Sequence, residues 1–272
     1  MTGESFDYDS GLPHDIRPAG SRTNDVSTTT EFTYATPYDR RRAAALVRPH
    51  GDGPFPATLY VHWYEPAAAD SNRTQFLEEA EAMAARGAAS LLIETIWSDR
   101  DWFLKRTQAE DRRMSIEQVV ELRCVLDLLL DRPDIDAKRL AYVGHDFGAM
   151  YGVVLGSVDP RPACYVLMAG TPRFPDWFLY YPQLEGEART SFEREMSDLD
   201  PIGRVPDLAP APLLFQFGRS DPHVPVERAE AFFQAAADPM ALIWYDAGHG
   251  LNEQAQADRM QWVARQLDLS SL

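Results

Sequence analysis

The sequence predicts an α/β domain built on a doubly wound, mostly parallel sheet, and three observations carry that expectation. Short apolar runs alternate with amphipathic helical stretches from Ala57 to the C-terminus. One of those runs, Leu140-Ala141-Tyr142-Val143, leads straight into Gly144-His145-Asp146-Phe147-Gly148 and a helix-compatible stretch. That is the strand, tight turn and helix of a nucleophile elbow. Finally, acidic residues and histidines recur just after the strand-like runs, where an open parallel sheet collects its functional groups.

The elements follow in chain order. Residues 1–27 are polar, contain Gly and Pro, and lack an apolar leader segment, so a mobile N-terminal arm is expected before a domain over 28–272. Thr28–Ala35 and Arg42–Val47 read as an antiparallel pair, and Ala57–Val61 as a buried strand. Arg73–Arg86 places Phe76, Leu77, Ala80, Met83 and Ala84 on one face, with Asn72 as cap and Gly87 as stop. Ala89–Ile93 is the next strand. Ser115 and Gln118 form a capping-box pattern opening a helix through Leu130, which Pro133 ends. Strands follow at Leu140–Val143, Cys164–Met168, Leu213–Phe217 and Ala241–Tyr245, with helices at Glu227–Ala237 and Glu253–Leu267. Residues 171–212 are too long for an ordinary connection and rich in aromatics early on, which predicts a short cap over the carboxyl edge of the sheet.

Bulk properties narrow the function classes. The chain has 272 residues, 45% hydrophobic and 25% charged, enough for one large domain or two small ones. A formal charge of −16 argues against nucleic-acid partners, whose phosphates it repels. Cys124 and Cys164 read as reduced core residues, and no Cys/His spacing suits a metal. No stretch is apolar enough to span a membrane, so a cytoplasmic protein without membrane partners is expected. A homodimer is compatible with the sequence, and no cofactor is required.

The strand ends present His62, Glu94, Asp146, Asp221 and His249 in turn. Nucleophile, acid, histidine is the order expected of this elbow. With Gly218-Arg219-Ser220-Asp221 after one strand and Gly248-His249 after another, the chain resembles the α/β-hydrolase superfamily from about Ala57 to Leu267. Its later half is most similar to dienelactone-hydrolase-type members. The resemblance implies a triad of Asp146, Asp221 and His249, and an oxyanion hole from the backbone of Phe147 and of Trp63 or Tyr64. Aspartate at the elbow resembles epoxide hydrolases and dehalogenases, whereas dienelactone hydrolases carry cysteine and related esterases serine. Trp63 stands where epoxide hydrolases and dehalogenases carry glycine, and Phe147 where haloalkane dehalogenases carry a halide-binding tryptophan.

Chemistry separates the alternatives. A carboxylate attacking an ester carbonyl makes a mixed anhydride, higher in energy than the ester; attacking a saturated carbon, it makes an ordinary alkyl ester, which histidine-activated water can cleave. Epoxide or carbon–halogen hydrolysis of a small molecule is therefore expected. A lactonase or esterase, a lyase or cyclase using Asp146 as a base, and a non-catalytic binding protein are the competing readings. His62, Glu94, Trp97, Trp177, Tyr180 and Tyr181 are expected to line the pocket, with Glu65 a further candidate. Tyr64, Tyr180 and Tyr181 are candidate proton donors to the leaving group. Simpler roles stand beside these: Asp146 as a turn residue, Asp221 as a helix cap, and cap aromatics as plain apolar lining.

Overall fold

The computed structural model describes residues 6–68, 70 and 72–269. Nine strands form one sheet: β1 (Arg17–Thr23), β2 (Ser27–Ala35), β3 (Arg41–Pro49), β4 (Phe55–Val61), β5 (Ala89–Ile93), β6 (Ile135–His145), β7 (Cys164–Met168), β8 (Leu213–Gly218) and β9 (Met240–Tyr245). Their spatial order is β1-β2-β3-β5-β4-β6-β7-β8-β9. The first three are antiparallel to their neighbours, and the pairs from β5 through β9 are all parallel. Strand β4 lies between β5 and β6, so the chain leaves it first to one side and then to the other. That reversal opens a crevice beyond the carboxyl ends of β4 and β6.

Strand β6 shows why both faces are covered. Leu140 and Tyr142 point into one apolar layer, Ala141 and Val143 into the other, following the two-residue pleat. One layer holds α1 (Leu77–Ala85) and α9 (Glu253–Gln266). The other holds α3 (Gln108–Leu130), α4 (Phe147–Val158) and α8 (Val226–Ala235), with the short α2 (Trp102–Lys105) at its edge. Between β7 and β8 run α5 (Pro175–Phe178), α6 (Gly186–Met196) and α7 (Pro201–Arg204).

Several local expectations are corrected. Within the stretch expected to be a mobile arm, Arg17–Thr23 pair with β2, and Tyr8 donates from its hydroxyl to Asp127 at 2.5 Å; residues 1–5 of that arm lie outside the described residues. Helix α1 begins at Leu77 rather than Arg73, and Asn72 is no cap: it takes a positive φ of 58° and its amide donates to the Trp63 carbonyl at 3.4 Å. Ser115 does not open a helix, because α3 already starts at Gln108. Its hydroxyl pairs with that of Tyr151 at 2.9 Å, while Gln118 accepts from the Ile96 N–H at 2.7 Å. Tertiary partners outbid the local capping pattern. Of the expected cap, the first turn overlies the crevice, whereas α7 and the turn after it pack on α4 as part of the body. Among the described residues, no helix is long and apolar enough to cross a membrane.

Candidate active site

The elbow is a steric necessity of its glycines. A Cβ on Gly144 would lie 2.3 Å from the Gly148 carbonyl oxygen, and one on Gly148 would lie 2.2 Å from that of Val61. Only with both absent can α4 begin this close to β4 and β6. The cost falls on Asp146, held at φ 56° and ψ −115°, a left-handed conformation that non-glycine residues rarely adopt. Its N–H is tied to the Met168 carbonyl at 2.8 Å and its carbonyl accepts from Met150 at 3.1 Å.

This conformation aims the side chain into the crevice, where Asp146 is 2% exposed and lines a cavity of about 390 Å³. Burial pushes its carboxyl up to about 7, against the opposing pull of His249 and of the Phe147 and Tyr64 backbone N–H groups. Its Oδ1 has no hydrogen-bond partner. His249 follows β9 and hydrogen-bonds Asp221 Oδ2 through Nδ1 at 2.8 Å, while its buried Nε2 has none. Burial lowers the imidazole's proton affinity, but the Asp221 hydrogen bond and the neighbouring Asp146 outweigh it, and the net shift is upward. Burial likewise acts to raise Asp221, and is overcome by the His249 hydrogen bond and the N–H groups of His223 and Val224; its carboxyl ends below the ordinary value. The structure thus places Asp146, Asp221 and His249 together at the carboxyl edge of the sheet.

The two candidate oxyanion residues before the cavity divide. The Trp63 N–H is spent on Gln75 Oε1 at 3.1 Å, so it is not the donor. The Tyr64 N–H acts on Asp146 together with that of Phe147. Its orientation has a cause in His62, which is buried beneath the loop and does not line the cavity. His62 Nδ1 donates to the Trp63 carbonyl at 2.7 Å, and Nε2 accepts from Ser98 Oγ at 2.9 Å. In a trans peptide, pinning the Trp63 C=O inward turns the Tyr64 N–H the opposite way. Burial holds His62 near a pKa of about 4, so it stays neutral in this role.

Other expected lining residues also move. Glu94 accepts from the Ala43 N–H at 2.8 Å, and Trp97 is buried with its Nε1–H on the His62 carbonyl at 3.1 Å; neither lines the cavity. Tyr181 is 54% exposed and lies outside it. Trp177, Tyr180 and Glu65 do line it. Tyr64 lines it too, but its hydroxyl donates to the Arg100 carbonyl at 2.8 Å.

Sequence reasoning missed three contributors. His223, two residues after Asp221, lines the cavity and stands edge-on to His249 with ring centres 5.1 Å apart; Tyr180 Oη lies 3.5 Å from its Nδ1. The Pro222-His223 step after a strand-end aspartate was the available signal. Gln75 and His145 form a bridge instead. The Gln75 amide donates to His145 Nδ1 at 2.6 Å, and His145 Nε2 donates to the His249 carbonyl at 2.9 Å. Burial holds the His145 imidazole neutral, which that single-donor arrangement requires. Trp63 fills the space between, stacked on His145 at 4.7 Å and on His249 at 5.1 Å.

No protein-family model matches the chain, and no curated protein matches its sequence. Solved structures do. An acetyl xylan esterase from Paenibacillus sp. R4 superposes with a TM-score of 0.76 at 16% identity, covering 94% of this chain and 90% of its own. Acetyl xylan esterase 1 from Thermoanaerobacterium sp. JW/SL YS485 gives 0.75 at 13% identity, over 94% and 89%. A 2,6-dihydroxy-pseudo-oxynicotine hydrolase gives 0.66 at 16% identity, over 93% and 68%. The chain has the α/β-hydrolase fold.

Proposed function

We propose that this protein is a hydrolase of a small organic substrate that works through a covalent ester on Asp146, opening an epoxide or a carbon–halogen bond. The observation that carries the reading is a buried carboxylate at the apex of the elbow, facing a cavity that it shares with His249. In the first step an Asp146 oxygen bonds to a saturated substrate carbon, and the electron pair of the broken bond leaves on halide or on the epoxide oxygen. Trp177 Nε1, buried without a partner in the cavity wall, suits a departing anion. Tyr180 is the cavity tyrosine whose hydroxyl lies free of the backbone and beside His223, and it supplies the proton an alkoxide needs.

In the second step His249 Nε2 takes a proton from water, whose oxygen adds to the Asp146 carbonyl carbon. Negative charge then develops on the carbonyl oxygen against the Phe147 and Tyr64 N–H groups, donors worth ~10²–10³ in rate each at such sites. Collapse expels the product alcohol, which takes its proton back from His249. Asp221 holds the imidazole and stabilises its charged form throughout.

A second reading, an esterase or lactonase, draws support from the printed activities of the similar structures. With aspartate at the elbow it would use Asp146 as a base on water, avoiding the mixed anhydride. Single turnover in ¹⁸O-water, followed by the mass of the Asp146 peptide, separates the two. Label in that carboxylate is expected; label in product alone would support the second reading and overturn the first.

A further inference from the structure

The cavity carries one carboxylate that the chemistry described above does not use. Its lining is largely aromatic, with Trp63, Tyr64, Phe103, Trp177 and Tyr180, and it also holds the imidazoles of His223 and His249 and the carboxyls of Asp146 and Glu65. Among the described residues, no lysine or arginine lines it. Arg100, whose Nε–H donates to the Pro66 carbonyl at 2.8 Å, is not among the lining residues and makes no ion pair with Glu65. One Glu65 oxygen accepts from the Ala67 N–H at 3.0 Å, which fixes the side chain, and no cationic side chain among the described residues forms an ion pair with it. The formal charge of −16 adds a long-range field of the same sign.

A fixed carboxylate among aromatic rings is the chemistry that recognises an organic ammonium group, by charge attraction and by cation–π contact. The same carboxylate repels an anion placed beside it. We propose that the substrate carries a positively charged amine on an aromatic or similarly flat frame, with Glu65 as the residue that selects for that charge. This rests on the cavity being the substrate site of the reading above, and it names the substrate class for it. The unpartnered, buried Asp146 Oδ1 marks the reacting end, so the ammonium lies toward Glu65 and the carbon to be attacked lies toward Asp146. A substrate carboxylate placed at the Glu65 end is disfavoured by the same argument, since no lysine or arginine lines the cavity to pair with it.

Calorimetric titration with three inert probes of one frame tests this: benzyltrimethylammonium, its neutral isostere neopentylbenzene, and phenylacetate. The expected affinity order is cation, neutral, anion, with the cation about tenfold tighter than its isostere. Glu65→Gln keeps the oxygen that accepts from Ala67, and is expected to weaken cation binding by roughly threefold to tenfold while leaving the neutral probe unchanged. A neutral probe binding as tightly as the cation, or a cation affinity unaltered in Glu65→Gln, overturns the proposal. No turnover enters the measurement. Repeating it in Asp146→Asn removes the other carboxylate, and a persisting Glu65 effect is expected. Absence of ¹⁸O from Asp146 would therefore remove the covalent mechanism and leave this charge selection to stand or fall alone.

Discussion

Replacing His249 with glutamine should stop the reaction halfway. In the proposed mechanism the imidazole takes no part in attack on the substrate carbon; its Nε2 serves the water that later cleaves the ester. General-base assistance is worth ~10²–10⁴ in rate, so the ester on Asp146 should live longer by that factor and accumulate. Glutamine is chosen over alanine because of Asp221, whose Oδ2 now receives the His249 hydrogen bond at 2.8 Å. A glutamine amide can still donate there, whereas alanine would leave a buried carboxylate oxygen unpaired at a cost of about 1–3 kcal/mol. The assay is intact-mass spectrometry of the variant after exposure to terminal epoxides and alkyl halides, with peptide mapping to Asp146. The expected result is stoichiometric alkylation of that residue and turnover reduced ~10²-fold or more. A variant that melts like the parent, is inactive, and shows no adduct would refute the two-step mechanism, as would one that turns over at the parental rate.

Further outcomes follow from the same geometry. With Asp146 held at about 7, kcat/KM should rise with pH through that value as the proposed nucleophile ionises, read from a pH–rate profile. The sign for stability is opposite: a carboxyl whose folded value lies above its unfolded one favours the fold at low pH and loses that contribution as pH rises from the ordinary carboxylate value to about 7. Asp146→Asn should thus stabilise the protein on the order of 2–4 kcal/mol at pH 8 and little at pH 4, measured by denaturant melts. Gly148→Ala sets a methyl against the Val61 carbonyl and should cost about 1–3 kcal/mol of stability and most activity. Asp146→Ser, placed before the same N–H pair and imidazole, should gain hydrolysis of activated esters such as p-nitrophenyl acetate; no gain would mean that the oxyanion geometry is specific to carboxylate.

What the sequence disclosed and what it hid divide along a physical line. The elbow was legible because two glycines around a central residue solve a local steric problem. Asp221 and His249 were legible because strand ends in a parallel sheet share one edge. His62 and Glu94 sit at such ends too, but their side chains turn to the Trp63 carbonyl and the Ala43 N–H, partners that only the folded loops bring close. Ser115 illustrates the same limit: a valid capping pattern was overruled by Tyr151, thirty-six residues away. Gln75 joins His145 across seventy residues, and nothing in either neighbourhood announces the pairing. The strand pattern of Arg17–Thr23 was hidden for a different reason, since it is fully exposed and has no apolar alternation to read.

The stacking of Trp63 on His249, 13° from parallel, couples an indole to the imidazole that pairs with Asp221. A protonated imidazole accepts an electron from an excited indole, and a neutral one does so far less. Emission from this tryptophan should dim whenever the base holds its proton and recover when it gives it up. Subtracting the emission of a Trp63→Phe variant isolates this indole among the chain's six, and the difference follows the protonation of His249 without knowledge of the natural substrate.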